Sequence, residues 1–154
     1  MDMSIELLAY RLLTDYKNKK TLDFSLEKLF GDASGREYFR IVFKKESAIL
    51  MKVADVVPGE FGRGDSFNDF IKIRDVFSHC GINVPKIYSV IHENKALLLE
   101  DLGDETLFSI IEKDKRNKFK HIKKAVDLLI HNQKALYERD RKSTRLNSSH
   151  FVPS

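Results

Sequence analysis

The sequence has few of the residues that would mark a secreted or membrane-bound protein. It contains one cysteine, Cys80, which excludes an internal disulfide framework and is typical of a reducing cytoplasm. No apolar run approaches the roughly 20 residues that a membrane helix needs. The amino terminus has no basic region of the kind that begins a signal peptide. These absences predict a cytoplasmic protein with no membrane partner.

The chain also has no dense patch of positive charge and no metal-ligand spacing among its five histidines. Its net charge of +4 comes from scattered lysines and arginines, so nucleic acid is not an expected partner. We therefore predict no metal-ligating residues. The 42% apolar and 32% charged content is typical of a globular domain, and 154 residues are enough for a buried core.

The most informative segment that is present is 31–40, which reads GDASGREYFR and runs into the strand-like residues 41–43. Small residues let backbone N–H groups approach an anion, so the segment is compatible with a loop that binds phosphate. A plain hairpin turn would use similar residues. The segment alone therefore leaves both interpretations open.

Apolar periodicity predicts five strands and at least four helices. The order is one helix, three strands, a helix, two strands, and then helices. Strands joined by hairpins cannot form a doubly wound parallel sheet, so we predict an α+β fold with a five-stranded antiparallel sheet and a crossing helix. The predicted elements are a helix over 5–16, strands over 24–30, 37–44 and 48–53, a helix from 66 to the stop at Gly81, strands over 86–91 and 96–100, and helices over 106–113 and 118–137.

Four segments in this order carry a family resemblance. They are GDASxRxYFR at 31–40, ILM at 49–51, GINVPKIY at 81–88, and LLLEDLGD at 97–104 with Thr106-Leu107 after it. Together they resemble the N-terminal lobe of the kinase-like aminoglycoside phosphotransferase and choline kinase superfamily. The nearest likeness is to bacterial kinases that phosphorylate the anomeric hydroxyl of N-acetylmuramate and N-acetylglucosamine. The resemblance covers roughly residues 5–138.

The resemblance implies an ATP site. The loop 31–36 would cover the phosphates, Lys52 would pair with the α- and β-phosphates, and Asp69 on the next helix would pair with Lys52. The Glu100 carbonyl and the Leu102 N–H would hold adenine. The cofactor-binding residues expected from the resemblance are Gly31, Asp32, Ala33, Ser34, Gly35, Arg36, Lys52, Asp69, Glu100 and Leu102.

Two of these residues have simpler explanations. Lys52 ends a strand, where its side chain can extend into water. Asp69 lies three residues after Ser66, so the two form a capping-box pattern at a helix start. Many amino-sugar kinases of this type also have an acidic residue where this chain has Lys52, which is a departure from their pattern.

The resemblance places the catalytic His-x-Asp loop and the Mg²⁺ ligands in a helical lobe after Tyr137, so we predict no catalytic residue in this chain. The expected domains are a nucleotide-binding lobe (1–100) and a hinge with the start of the helical lobe (101–139). The implied partners are ATP, Mg²⁺ and a small hydroxylated substrate such as a sugar or amino sugar. The alternatives are a nucleotide-sensing pseudokinase and an unrelated fold with a plain hairpin.

Residues 140–150 match, residue for residue, the translation of a common sequencing-library adapter. We therefore hypothesise that the natural sequence ends near Glu138 and that 140–154 is a disordered read-through tail; the alternative is an ordinary polar tail. Without a helical lobe to cover them, the apolar residues of the last predicted helix would face water. This predicts poor solubility or association, and the residues concerned are Phe119, Ile122, Val126 and Leu129.

Overall fold

The computed structural model describes residues 3–19, 23–29, 35–53 and 66–148. Two single 3₁₀ turns, His92–Asn94 and Lys115–Asn117, separate longer elements. The order of elements confirms the predicted α+β class. The longer elements are α1 (Ile5–Lys17), β1 (Ser25–Leu29), β2 (Arg36–Phe43), β3 (Glu46–Val53), α2 (Ser66–His79), β4 (Ile87–Ile91), β5 (Ala96–Glu100), α3 (Leu107–Lys113) and α4 (Lys118–Ser148).

The five strands form one antiparallel sheet in the order β1-β2-β3-β5-β4. The first three strands follow one another as hairpins, and α2 connects β3 to β4. The returning strand β5 then pairs between β3 and β4. At the centre of the sheet, Leu50 lies opposite Phe39 on one side and Leu98 on the other. This arrangement confirms the predicted sheet and crossing helix.

Helix α1 begins at a capped end. The Ser4 hydroxyl accepts a hydrogen bond from the Leu7 N–H at 3.3 Å, which makes Ser4 the N-cap. The buried residues Leu8, Leu12 and Leu13 recur at helical spacing and bury one face of the helix. Each fully buried leucine contributes on the order of 1.5–3 kcal/mol to folding.

The sheet has two apolar faces, which we call the α1 face and the α2 face after the helix that packs on each. Successive strand residues alternate between the faces. On β3, Ala48 and Leu50 pack with α1, whereas Met51 and Val53 pack with Phe67 of α2. The α1-face cluster also contains Phe39, Ile41, Phe43 and Leu98, and the α2-face cluster also contains Leu97 and Leu99, with Tyr38 and Phe70 packed against it.

Helix α2 ends at the glycine that the sequence indicated. Gly81 has φ +73°, a left-handed conformation that costs glycine little because it has no Cβ. The Ile82 N–H then donates to the Phe77 carbonyl, and the Gly81 N–H donates to the Ser78 carbonyl, both at 3.0 Å. These bonds satisfy carbonyls that the helix end would otherwise leave without donors.

Helices α3 and α4 follow the sheet. Thr106 and Ser109 form a reciprocal capping box at the start of α3. Before α4, the hydrogen bond with His121 holds the pKa of Asp114 below its usual value, and Asn117 adds to this effect. Helix α4 runs to Ser148, so the backbone of 140–148 is helical where the sequence predicted disorder. Helical backbone does not report the origin of the codons, so the read-through hypothesis remains a prediction.

The chain divides into two compact units. One comprises Met1–Lys72 and Pro85–Leu102, and the other comprises Ile73–Val84 and Gly103–Ser154. The domain boundaries expected from the resemblance, at 100/101 and 139/140, remain predictions. Within the described ranges, no helix is both long and apolar enough to cross a membrane.

We expect the 154-residue chain to self-associate in solution. Phe119, Val126 and Leu129 are exposed, as predicted, whereas Ile122 is half-buried. The neighbouring large side chains of Phe108 and Leu128 are exposed as well, and apolar surface on this scale favours contact with other apolar surface. Sedimentation velocity should show a mass that rises with protein concentration. A monomer at every concentration would contradict the expectation.

Candidate functional site

The predicted phosphate loop is only partly described. Gly31, Asp32, Ala33 and Ser34 lie outside the described residues, so their predicted contacts with ATP remain predictions. Gly35 has φ +69°, a left-handed conformation that lets the backbone turn sharply into β2. Arg36 is the first residue of that strand.

Arg36 lies on the α2 face of the sheet. Its guanidinium carbon is 5.4 Å from the ring centroid of Phe70, within the range of a cation–π contact. The Arg36 Nε–H is buried and has no acceptor among the described residues. Phe70 itself packs against the α2-face cluster, which fixes the ring beneath the guanidinium.

Lys52 lies on the other face. Because Met51 and Val53 belong to the α2-face cluster, alternation places Lys52 on the α1 face with Leu50. Its cross-strand neighbours are Glu37 on β2 and Ala96 on β5. A carboxylate directly opposite a lysine on one face is a favourable cross-strand pair.

Asp69, the predicted partner of Lys52, is on α2. Its neighbours Phe67, Phe70 and Ile71 pack on the α2 face, whereas Lys52 occupies an α1-face position on β3, so the pairing of the two residues remains a prediction. The capping-box alternative for Asp69 depends on the Ser66 side chain, which lies outside the part of the chain that the structure describes. The role of Asp69 in nucleotide binding remains a prediction.

The predicted hinge follows β5 directly. The Glu100 N–H donates to the Lys86 carbonyl at 2.9 Å, and the Glu100 carboxylate accepts from the Lys86 N–H at 3.2 Å. These contacts bind the Glu100 side chain to the neighbouring strand. The Leu102 side chain is 70% exposed. Both observations agree with a hinge that would hold adenine through its backbone, although the adenine contacts themselves remain predictions.

A largely buried ion pair next to the hinge was not predicted from the sequence. Arg40 Nε donates to Asp101 Oδ2 at 2.8 Å, and Arg40 Nη2 donates to Asp101 Oδ1 at 3.3 Å. The side chains are only 15% and 6% exposed, so this two-bond pair joins the middle of β2 to the end of β5 from within the fold. The available signal was Arg40 itself, a charged residue between the apolar residues Phe39 and Ile41 in the middle of the strand.

Arg36 and the hinge residues Glu100 and Leu102 belong to the same compact unit. Their predicted roles in binding a nucleotide remain predictions. Within the described ranges, no group of three or more His, Cys, Asp or Glu residues is placed to hold a metal ion.

Comparison with known proteins gives one similar protein. No family model matches the chain. It is 31% identical over 103 residues to an N-acetylmuramate/N-acetylglucosamine kinase of Pseudomonas aeruginosa. The match covers 67% of this chain and 28% of that kinase, so the chain spans less than a third of the length of the curated relative.

The similarity agrees with the fold. A five-stranded antiparallel sheet with a crossing helix, followed by further helices, fits the N-terminal lobe of a kinase. The relative that the chain resembles over these 103 residues is a sugar kinase.

Proposed function

We propose that this chain is the nucleotide-binding lobe of an ATP-dependent phosphotransferase of the aminoglycoside phosphotransferase type. The observation that carries the proposal is the 31% identity to a sugar kinase, found in a chain that folds into a kinase-like antiparallel sheet. A further support is that Arg36 and the hinge residues Glu100 and Leu102 belong to one compact unit.

Each part of the lobe has a proposed task. The loop 31–35 covers the phosphates, Arg36 binds them, and the backbone of Glu100 and Leu102 holds adenine. The pair of Arg40 and Asp101 holds the hinge against β2. In such enzymes the bound nucleotide supplies the phosphoryl group, and Mg²⁺ neutralises its charge when bound. The residues of this chain bind and orient the nucleotide.

We propose a sugar or amino sugar as the acceptor. The support is the relative, whose name gives N-acetylmuramate and N-acetylglucosamine as its substrates. The acceptor-binding groups of the superfamily belong to the helical lobe that the resemblance implies. Phosphate-transfer assays that compare a sugar with other small hydroxylated acceptors therefore need a protein that includes that lobe.

A second candidate is a nucleotide-sensing lobe without catalysis. The placement of Lys52 on the α1 face favours it, because a kinase uses its strand lysine beside the nucleotide. The two candidates share the nucleotide site and differ in turnover. Transfer of labelled phosphate from ATP to N-acetylglucosamine by the longer gene product supports the enzyme, and nucleotide binding without transfer supports the sensor.

Nucleotide binding by this chain is the direct test. In a titration of ¹⁵N-labelled chain, we expect ATP and adenosine to shift the amide signals of Leu102 and its neighbours. ATP should in addition shift those of Gly35 and Arg36. The lobe carries only half of the implied site, so a Kd of about 1 mM is expected, equivalent to roughly −4 kcal/mol.

The amides of α1 provide an internal control, because Leu8 and Leu12 are buried away from the proposed site. Their signals should stay unchanged throughout the titration. If neither ATP nor adenosine shifts any signal at about 10 mM, a concentration tenfold above the expected Kd, the proposed function is wrong.

A further inference from the structure

Two cationic side chains, Arg36 and Lys52, are candidates for the residue that binds phosphate in this lobe. Arg36 begins β2, and Lys52 lies next to the end of β3, where it pairs in register with Glu37. The resemblance to kinases assigns the role to the strand lysine. The alternation of the two apolar clusters, however, separates the candidates, because Arg36 is on the α2 face and Lys52 is on the α1 face.

We propose that Arg36, which makes a cation–π contact with Phe70, is the cation that binds the nucleotide phosphates in this protein, in place of Lys52. This inference rests on the proposed function, since it assigns a ligand within the nucleotide site. It differs from the loop prediction in naming the guanidinium, rather than loop backbone, as the charged contact.

The first support is the cation–π contact of Arg36 with Phe70. With its guanidinium carbon 5.4 Å from the ring centroid, the side chain contacts a ring that is itself packed on the sheet. A contact with the face of a ring restricts the guanidinium and leaves its in-plane N–H donors available for hydrogen bonds. An anion that binds these donors therefore finds them already oriented, which reduces the entropy that binding must overcome.

The second support is the buried Nε–H of Arg36, which has no acceptor among the described residues. A buried donor without an acceptor is unfavourable, so such a group in a folded protein calls for an explanation. A phosphate provides one, because its oxygens accept parallel hydrogen bonds from the Nε and Nη donors of arginine. Lysine has no equivalent planar fork.

The third support is the environment of Lys52. Its cross-strand neighbour Glu37 also accepts a hydrogen bond from Lys28 at 2.7 Å, so this part of the α1 face already combines lysines with a carboxylate. A lysine beside a carboxylate on a half-exposed strand is explained by that neighbour. Binding of phosphate is not needed to account for its presence.

The test compares three variants of the full 154-residue chain, Arg36→Gln, Lys52→Gln and Arg11→Gln. The last is a matched control, because Arg11 is an exposed arginine of α1 that pairs with Glu93. Each variant is titrated by NMR with ATP, adenosine and inorganic tripolyphosphate. Because all three variants lose one positive charge, a general effect of net charge would appear in each of them.

We expect Arg36→Gln to weaken ATP and tripolyphosphate binding by about tenfold or more, as loss of a charge-assisted hydrogen bond implies, and to leave adenosine binding unchanged. Lys52→Gln and Arg11→Gln should bind all three ligands like the parent chain. Loss of phosphate binding in Lys52→Gln with retention in Arg36→Gln would overturn the inference and leave the proposed function intact.

A further variant keeps the test decisive if Arg36→Gln does not fold. Arg36→Lys retains the charge but removes the planar fork, so we expect several-fold weaker tripolyphosphate binding and unchanged adenosine binding. Parent-like tripolyphosphate binding by a folded Arg36→Lys chain would contradict the proposed role of the fork. A parent chain that binds none of the three ligands would instead refute the proposed function.

Discussion

Asp101→Asn is expected to lower the free energy of unfolding by about 1.5–3 kcal/mol, because it removes the negative charge from two charge-assisted hydrogen bonds with a largely buried Arg40 guanidinium. In the parent chain the two side chains are 15% and 6% exposed and share two hydrogen bonds. Desolvating a charge is costly, and the carboxylate is what compensates for that cost. Urea unfolding monitored by circular dichroism measures the difference.

Asp127→Asn is the matched control. Asp127 is paired with Lys123 on the surface of α4, and its side chain is 58% exposed. Exposed pairs of this kind contribute little, so the same substitution should change stability by no more than about 0.5 kcal/mol. Equal effects of the two substitutions would show that the Arg40–Asp101 pair is not a buried structural contact.

A double variant separates the charge from the packing. Replacing both partners with apolar residues, as in Arg40→Met with Asp101→Leu, removes the uncompensated charge. We expect the double variant to be more stable than Asp101→Asn alone. If the double variant loses as much stability, relative to the parent chain, as the two single variants lose together, the two side chains are not coupled.

Phe67→Ala is expected to lower the free energy of unfolding by about 3–5 kcal/mol. Phe67 is 2% exposed, packs with Met51, Leu97 and Leu99, and makes an edge-to-face contact with the His92 ring at 5.8 Å between centroids. Truncation would leave a cavity on the α2 face, and the lost packing adds to the lost transfer free energy. Urea unfolding again provides the measurement.

The same substitution at an exposed phenylalanine is the control. Phe119 on α4 is 84% exposed, so Phe119→Ala should stay within about 0.5 kcal/mol of the parent chain. Both variants are measured at low protein concentration, where self-association does not contribute. If Phe119→Ala lowers the free energy of unfolding as much as Phe67→Ala does, burial of the Phe67 side chain is not the cause of the predicted loss.

Local patterns predicted the elements of this fold well. The alternation of Phe39, Ile41 and Phe43 with more polar residues predicted a half-buried strand, and these three side chains are buried in β2. Gly81 marked the end of the helix that begins at Ser66. These features depend on residues near one another in the chain, which is why they can be derived without a tertiary structure.

The candidate site was harder to derive because its residues are distant in sequence. The contact between Arg40 and Asp101 joins residues 61 positions apart, and it spans β3, which lies between β2 and β5 in the sheet. The sequence did not indicate these two residues as a pair. The placement of Lys52 away from α2 likewise depends on which face of β3 the crossing helix covers.

The sequence by itself therefore determined the α+β class, the order of strands and helices, and the residues that face the core. These features are local because side-chain direction repeats every 2 residues in a strand and about every 3.6 residues in a helix. Tertiary structure alone decided which helix covers which face, and hence that Arg36 rather than Lys52 lies against α2. Alternation tells which residues share a face, whereas the side on which a helix packs is set by contacts across the whole sheet.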